Sequence, residues 1–286
     1  MRYIKSFAND AAIQAAIDDK SLGKPYVALN ESAGTIDWNS KEIDYSGMYL
    51  TIEALSGGTF YVRNADVSYS VNGAAWETTT GETALSLNQG DEVRFKGTAG
   101  GNALFSGNTL SHNVYGNIES LEYGDDYKGQ TTIKNSPSTG AFGFMFSGST
   151  GTRNVENLIL PATTLKGYCY YSMFNKCGSI TKAPELPATA LTSNCYAYMF
   201  QGCASLTTAP DLPAPTLSAR SYYYMFNSDT ALRYIKCLAT NPDTNGGTAY
   251  WVQRVIPNVG TFVKKAGVTW PTGNNGIPSG WTVIEE

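Results

Sequence analysis

Few side chains in this sequence are suited to covalent or acid–base chemistry, and their spacing narrows the field further. There is one histidine, His112, and five cysteines: Cys169, Cys177, Cys195, Cys203 and Cys237. A cysteine nucleophile needs a base beside it. His112 is the only candidate, and Ser111-His112-Asn113 reads as a solvated polar turn between β segments. Seven residues separate Cys169 from Cys177 and no Cys-x-x-Cys occurs, so zinc is not expected. Glu122, Asp125 and Asp126 form the densest acidic cluster. A glycosidase needs two carboxylates held at a set separation across a cleft, which adjacent loop acids do not assure. The three read as solvated turn residues, with calcium ligation by the same oxygens as the alternative. No P-loop or dinucleotide-binding glycine pattern precedes a helix. The expectation is therefore no catalytic residue, no metal and no cofactor.

Tyrosine is the better lead, with 19 in the chain. Tyr170, Tyr196 and Tyr222 recur at one fixed place in a repeat and are read as core. Tyr168, Tyr171, Tyr198, Tyr223 and Tyr224 fall where the copies differ among themselves. Tyrosine offers rigid contact area with one polar tip, which suits protein or glycan surfaces. These five are the candidate ligand-binding residues; the alternative is plain packing between repeats with exposed hydroxyls.

Composition bounds what positions them. The 286 residues are 42% hydrophobic and only 15% charged, with 20 basic and 24 acidic side chains. That length suggests two or three domains. The low charge and many aromatics argue against disorder, and the net charge of −4 lacks the basic footprint of a nucleic-acid binder. No apolar run approaches a membrane span. The opening residues Met1 to Asp10 lack the apolar stretch of a signal peptide, so export by a secretory signal is not expected if the chain begins naturally at Met1.

Residues 1–45 read as a small docking segment. Asn9 and Asp10 are good N-caps, Ala12, Ile13, Ala16 and Ile17 follow at helical spacing, and Tyr26 to Leu29 is a strand candidate. From 46 to 130 the period switches to two. Val67, Tyr69 and Val71 run into Asn72-Gly73, a strong two-residue turn signal, and Leu85 and Leu87 run through Asn88-Gln89-Gly90-Asp91 to Val93 and Phe95. Short strands at this spacing indicate an antiparallel β-sandwich of immunoglobulin-like type.

Residues 131–240 carry an internal repeat. Leu160-Pro161-Ala162-Thr163-Thr164-Leu165 returns 26 residues later at Leu186 to Leu191 and again at Leu212 to Leu217. Met173-Phe174 becomes Met199-Phe200 and then Met225-Phe226, and a looser copy begins at Phe142. A fixed period of this length with leucine in register marks a solenoid. Tyr196, Met199, Phe200 and Cys203 fall at i, i+3, i+4 and i+7, which predicts one face of a two-turn helix in each repeat. Cys169 with Cys195, and Cys177 with Cys203, are equivalent positions; they are read as a ladder of buried thiols, with disulfides between neighbouring repeats as the alternative. Residues 241–286, with three tryptophans, break the period and read as a C-terminal cap. The fold class is thus multidomain α+β: docking segment, antiparallel sandwich, then a solenoid of 26-residue repeats.

The pattern carried by Leu186 to Leu191 and Cys195 to Thr207 resembles the BspA-type leucine-rich repeats abundant in gut Bacteroides and their phages. Gly276 to Val283 looks like the tail that ends those arrays, and Leu121 to Thr132 like the joint before them. The resemblance covers about residues 48–286 and implies surface recognition and adhesion rather than catalysis. Separately, Tyr3 to Asp10 with Leu22 to Leu29 is similar to the N-terminal segment of structural proteins in Bacteroides phages, including crAss-like phages. That resemblance implies attachment to other virion proteins, with Ile4, Phe7, Ile13, Ile17 and Tyr26 as docking residues. The resulting expectation is a head- or tail-attached fibre or decoration protein of the phage particle, whose repeats bind a host surface protein or glycan. Neither nucleic acid nor membrane insertion is implied. Self-association is compatible with a fibre, although no heptad seam marks it. A bacterial cell-surface adhesin and a carbohydrate-active depolymerase are the competing readings.

Overall fold

A computed structural model describes Ile4–Phe7 and Val27–Asn30, as backbone strands, and residues 44–63, 67–79, 81–98, 103–134, 140–242 and 244–286. Two compact units result, Met1–Asp44 and Tyr45–Glu286. In the first, β1 (Ile4–Phe7) pairs in parallel with β2 (Val27–Asn30), with Ile4 opposite Val27. The strand candidate at Tyr26 to Leu29 is thus displaced by one residue. The helix expected over residues 9–17, with Ile13, Ile17 and Tyr26, lies outside the described residues.

The second unit is mostly β, with several sheets and, among the described residues, one short α-helix. Its strands are β3 (Leu50–Ala54), β4 (Gly58–Arg63), β5 (Val67–Val71), β6 (Glu77–Thr78), β7 (Thr83–Leu87), β8 (Glu92–Gly97), β9 (Leu104–Ser106), β10 (His112–Asn117) and β11 (Leu158–Ile159). One sheet runs β11-β10-β3-β8-β5-β6 and another β7-β4-β9. All of these pairings are antiparallel except β10 with β11. The alternation seen in the sequence is the reason: Leu50, Ile52, Phe60, Val62, Val93 and Phe95 are wholly buried. The two sheets meet through Phe60, Phe95 and Phe105, with Phe95 and Phe105 4.8 Å apart. Asn72 and Gly73 both take positive φ, the two-residue turn that their types predict, closed by Ala74 N–H to the Val71 carbonyl at 2.9 Å. Asn88 to Asp91 instead carries the chain from one sheet to the other, since β7 and β8 belong to different sheets. Helix α1 (Ser120–Tyr123) follows β10.

The repeat segments are not helical, which corrects the reading of Tyr196, Met199, Phe200 and Cys203. An α-helix would bond each N–H to the carbonyl four residues back. Here Cys169, Tyr171, Met173, Asn175 and Cys177 each donate to the carbonyl three residues back, while Tyr168, Tyr170, Ser172, Phe174 and Lys176 donate to Ser193, Cys195, Ala197, Met199 and Gln201 of the next repeat. The same alternation recurs from 194 to 203 and from 221 to 229. Every fourth residue sits in the left-handed region: Tyr168, Ser172 and Lys176, then Asn194, Tyr198 and Gly202, then Arg220, Tyr224 and Ser228, with φ between 53° and 75°. The true period is four, with two residues of each quartet, such as Cys169 and Tyr170 or Met173 and Phe174, set into the core. Over two turns it is nearly indistinguishable from 3.6. Half the amides thus hold a repeat's own turns and half join it to its neighbour, which satisfies the backbone of an otherwise ladderless segment.

Two ring columns run through the interior. Phe142, Tyr170, Tyr196, Tyr222 and Trp251 stack at 5.6–6.2 Å, and Phe146, Phe174, Phe200 and Phe226 at 5.5–5.9 Å. Tyr170, Tyr196 and Tyr222 are core, as read. Gly140 joins the looser first copy to the next; its φ is +83° and a side chain there would collide with the Tyr168 carbonyl. Residues 244–258, read as an aperiodic cap, continue the pattern: Gly246, Tyr250, Arg254 and Asn258 are left-handed, and carbonyls 247 to 253 accept from Tyr222, Tyr224, Phe226 and Ser228. Beyond them a parallel sheet joins β12 (Tyr234–Cys237), β13 (Thr261–Lys264) and β14 (Thr282–Glu285). Trp251, Trp270 and Trp281 are buried there.

Candidate ligand face

The outward positions of the turn segments bring the tyrosines together. Tyr198 and Tyr224 occupy the same left-handed position in successive repeats, and their rings lie 5.2 Å apart, 17° from parallel. Tyr223 packs edge-on to both, at 5.3 Å from Tyr198 and 4.6 Å from Tyr224. Ser172, buried, takes this position one repeat earlier, and there the row is carried by Tyr171, 5.4 Å from Tyr198 and 5.6 Å from Tyr168. All five candidate residues thus belong to one contiguous row of rings. Tyr168 is 40% exposed and the other four are half-buried.

Two members were not found in the sequence. Phe144 extends the row at 5.2 Å from Tyr171, and Tyr250 extends it at 5.0 Å from Tyr224; they are 41% and 42% exposed. Phe144 and Tyr250 share the left-handed position of Tyr198 and Tyr224. Treating 244–258 as a cap hid Tyr250, and the helical period hid Phe144. Exposed apolar rings in contiguous contact mark binding surfaces more often than isolated ones do.

The row rests on a rigid floor. Behind it lie the two ring columns, and at one margin an amide ladder runs from Asn175 to Gln201 to Asn227 to Gln253, at 2.7, 3.4 and 2.9 Å. The phenol groups of Tyr171, Tyr198 and Tyr224 are pushed above their ordinary range, first by burial against neighbouring rings and then by the adjoining phenols. They remain neutral donors through the physiological range.

The other candidates fall elsewhere. All five cysteines are free and buried. Cys177 Sγ donates to the Phe146 carbonyl at 3.0 Å and Cys203 Sγ to the Phe174 carbonyl at 3.2 Å, so these two thiols satisfy backbone groups between repeats. Burial pushes the Cys177, Cys195 and Cys237 thiols up to about 12, far from thiolate reactivity.

His112 is not a solvated turn residue. It begins β10, is wholly buried, and packs edge-on to Phe60 at 5.2 Å. Its Nδ1 lies 3.0 Å from the Leu110 carbonyl, which can only accept, so Nδ1 carries the proton and Nε2 accepts from Thr152 Oγ1 at 2.9 Å. Burial lowers its pKa to about 4.

Glu122 is likewise not solvated. It is buried on α1, and its Oε2 accepts from Lys134 N–H at 2.5 Å. Glu119, buried just before α1, faces the Glu122 carboxylate. Burial and then Glu122 raise it to about 9. Asp125 and Asp126 are exposed, as read; Asp125 accepts from the Tyr49 hydroxyl at 2.6 Å and from Lys96. Among the described residues, no group of three metal-ligating side chains is assembled, and no helix is long and apolar enough to cross a membrane.

Of the docking residues, Ile4 and Phe7 stand at the two ends of β1. No protein-family model, curated protein or solved structure matches the chain.

Proposed function

We propose that this chain is a structural protein of a bacteriophage virion, a head- or tail-attached fibre or decoration protein. Its 26-residue repeats form a BspA-type solenoid that presents a binding face to a host surface or its glycans. In the sequence, an immunoglobulin-like β region lies between an N-terminal docking segment and that solenoid. The observation that carries the recognition role is the row from Phe144 to Tyr250, held by stacked cores while its own ring edges stay open to solvent. A row built only for packing between repeats has no need of three rings about 40% exposed. The virion assignment rests on the likeness of Tyr3 to Asp10 and Leu22 to Leu29 to phage structural proteins.

The depolymerase reading draws no support from the acids it would use, because Glu122 is buried on a backbone amide and Asp125 is tied to Tyr49 and Lys96. The adhesin reading uses the same face and differs only in what carries it.

Mass spectrometry of gradient-purified phage particles tests the assignment. Peptides of this chain at stoichiometric abundance are expected. Recovery only from bacterial envelope fractions would overturn the virion reading in favour of the adhesin.

A further inference from the structure

The aromatic row is flanked by charge of one sign. Four basic side chains lie in or beside the turn segments that carry it: Lys166, Lys176, Arg220 and Arg254. Lys176 and Arg254 occupy equivalent left-handed positions four residues beyond the row, and Arg220 takes the one four residues before it. All three are exposed, and the Arg220 guanidinium sits over the Tyr223 ring at 5.5 Å.

None of these three is paired with a carboxylate among the described residues. Three lysines of the β12–β14 sheet and the adjoining extended stretches are paired: Lys182 with Glu156, Lys236 with Asp211 and Glu286, Lys264 with Glu285. The one acid within the turn segments, Asp229, is wholly buried and held neutral. Asp243, just before the last segment, lies outside the described residues. Three exposed cations without a carboxylate partner among the described residues thus lie in the turn segments that carry the exposed rings, in a chain whose net charge is −4.

Resting on the reading of this row as a ligand face, we propose that its ligand is an anionic polysaccharide, with carboxylate or sulfate groups on pyranose rings. Two features point to a sugar chain rather than to charge alone. Between equivalent positions of successive repeats the row advances by 5.2 and 5.0 Å, comparable to the length of one pyranose unit, so a linear glycan laid along it keeps step. Its cations are too sparse for a polyphosphate, which is bound by many closely spaced phosphate contacts. The apolar C–H faces of the sugars would pack on the exposed parts of the rings while the flanking guanidinium and ammonium groups take the acidic substituents.

The test is binding of the full chain to polygalacturonate and hyaluronan, to carboxyl-reduced polygalacturonate, to dextran, and to double-stranded DNA. The triple variant Lys176→Gln, Arg220→Gln, Arg254→Gln is measured beside it, at low and high salt. All three positions are exposed, so folding, checked by circular dichroism, should be retained. The expected result is saturable binding to an acidic polymer that the variant weakens about ten- to a hundredfold, the scale of three partly screened charge contacts, with little binding to the reduced polymer. Equal binding to acidic and neutral polymers, unchanged in the variant, would overturn the charge assignment and leave the glycan-binding face standing. Equal binding to DNA would overturn the sugar assignment. Binding to none would overturn both.

Discussion

Asp229 stands one repeat beyond Cys203 in a single buried column, at the place where Cys177 and Cys203 use their thiols to satisfy a backbone carbonyl. The Cys203 and Gly202 amides lie beside the Asp229 carboxyl without forming a well-aligned hydrogen bond, and burial outweighs them and pushes it well above the ordinary range. A group whose folded pKa is raised favours the fold below its unfolded pKa, and that contribution is lost as pH rises. Asp229→Cys should therefore stabilise the protein at neutral pH by about 1–3 kcal/mol, the cost of one buried unsatisfied polar group. Urea denaturation should also show a flatter fall in stability between acid and neutral pH in the variant.

Gly202 separates the helical from the observed conformation of the repeat. In a helix interior, Gly→Ala stabilises by about 1 kcal/mol. Here Gly202 has φ +75° and space for a methyl group, with nothing nearer than 3.6 Å. The left-handed conformation costs an alanine about 1–2 kcal/mol. Gly202→Ala should lower the urea midpoint without changing the slope of the transition.

Opposite pH dependences are expected at His112, which begins β10, and at Glu119, two residues beyond its end. His112 is held neutral, with its pKa lowered from 6.5 to about 4; its contribution is present above 6.5 and lost as pH falls through that window. Glu119 is held protonated, raised from 4.5 to about 9, so its contribution is lost as pH rises through that range. Glu119→Gln should raise the melting temperature most at alkaline pH. His112→Gln should remove acid lability between pH 6.5 and 4 while lowering stability at neutral pH by about 1–3 kcal/mol through its unpaired partners.

Removing the phenol rings should affect binding more than folding. Tyr171→Ala and Tyr223→Ala each forfeit ring contacts worth about 0.5–1.5 kcal/mol. If the row is the ligand face, each should weaken binding to the polymer it prefers by about tenfold or more. Unaltered affinity in both variants, by calorimetry, would sink the ligand-face assignment.

The sequence carried the strands, the Asn72-Gly73 turn and the 26-residue register, because alternation and repetition are written directly in residue types. It misread the repeat segments because Tyr170, Met173, Phe174 and Cys177 satisfy both a period of 3.6 and a period of four. The signal that separates them is present: Gly140, Gly148, Asn194, Gly202, Gly246 and Asn258 are residues that tolerate positive φ, and all sit at left-handed places. His112 and Glu122 were misplaced for another reason. Their neighbours in sequence are polar, while their surroundings come from Phe60, Thr152 and Lys134, which are distant in the chain.

The alternating amide pattern also fixes how the array carries load. Each turn segment sends four or five backbone bonds to the next repeat, and the extended stretches add others, such as Leu165 N–H to the Ala190 carbonyl and Ala209 N–H to the Tyr234 carbonyl. Tension applied along the direction of stacking would be shared by those bonds in parallel, and adjoining junctions would bear it in series. Such an array stays stiff until its weakest junction parts, and then yields there while the bonds inside each repeat remain closed.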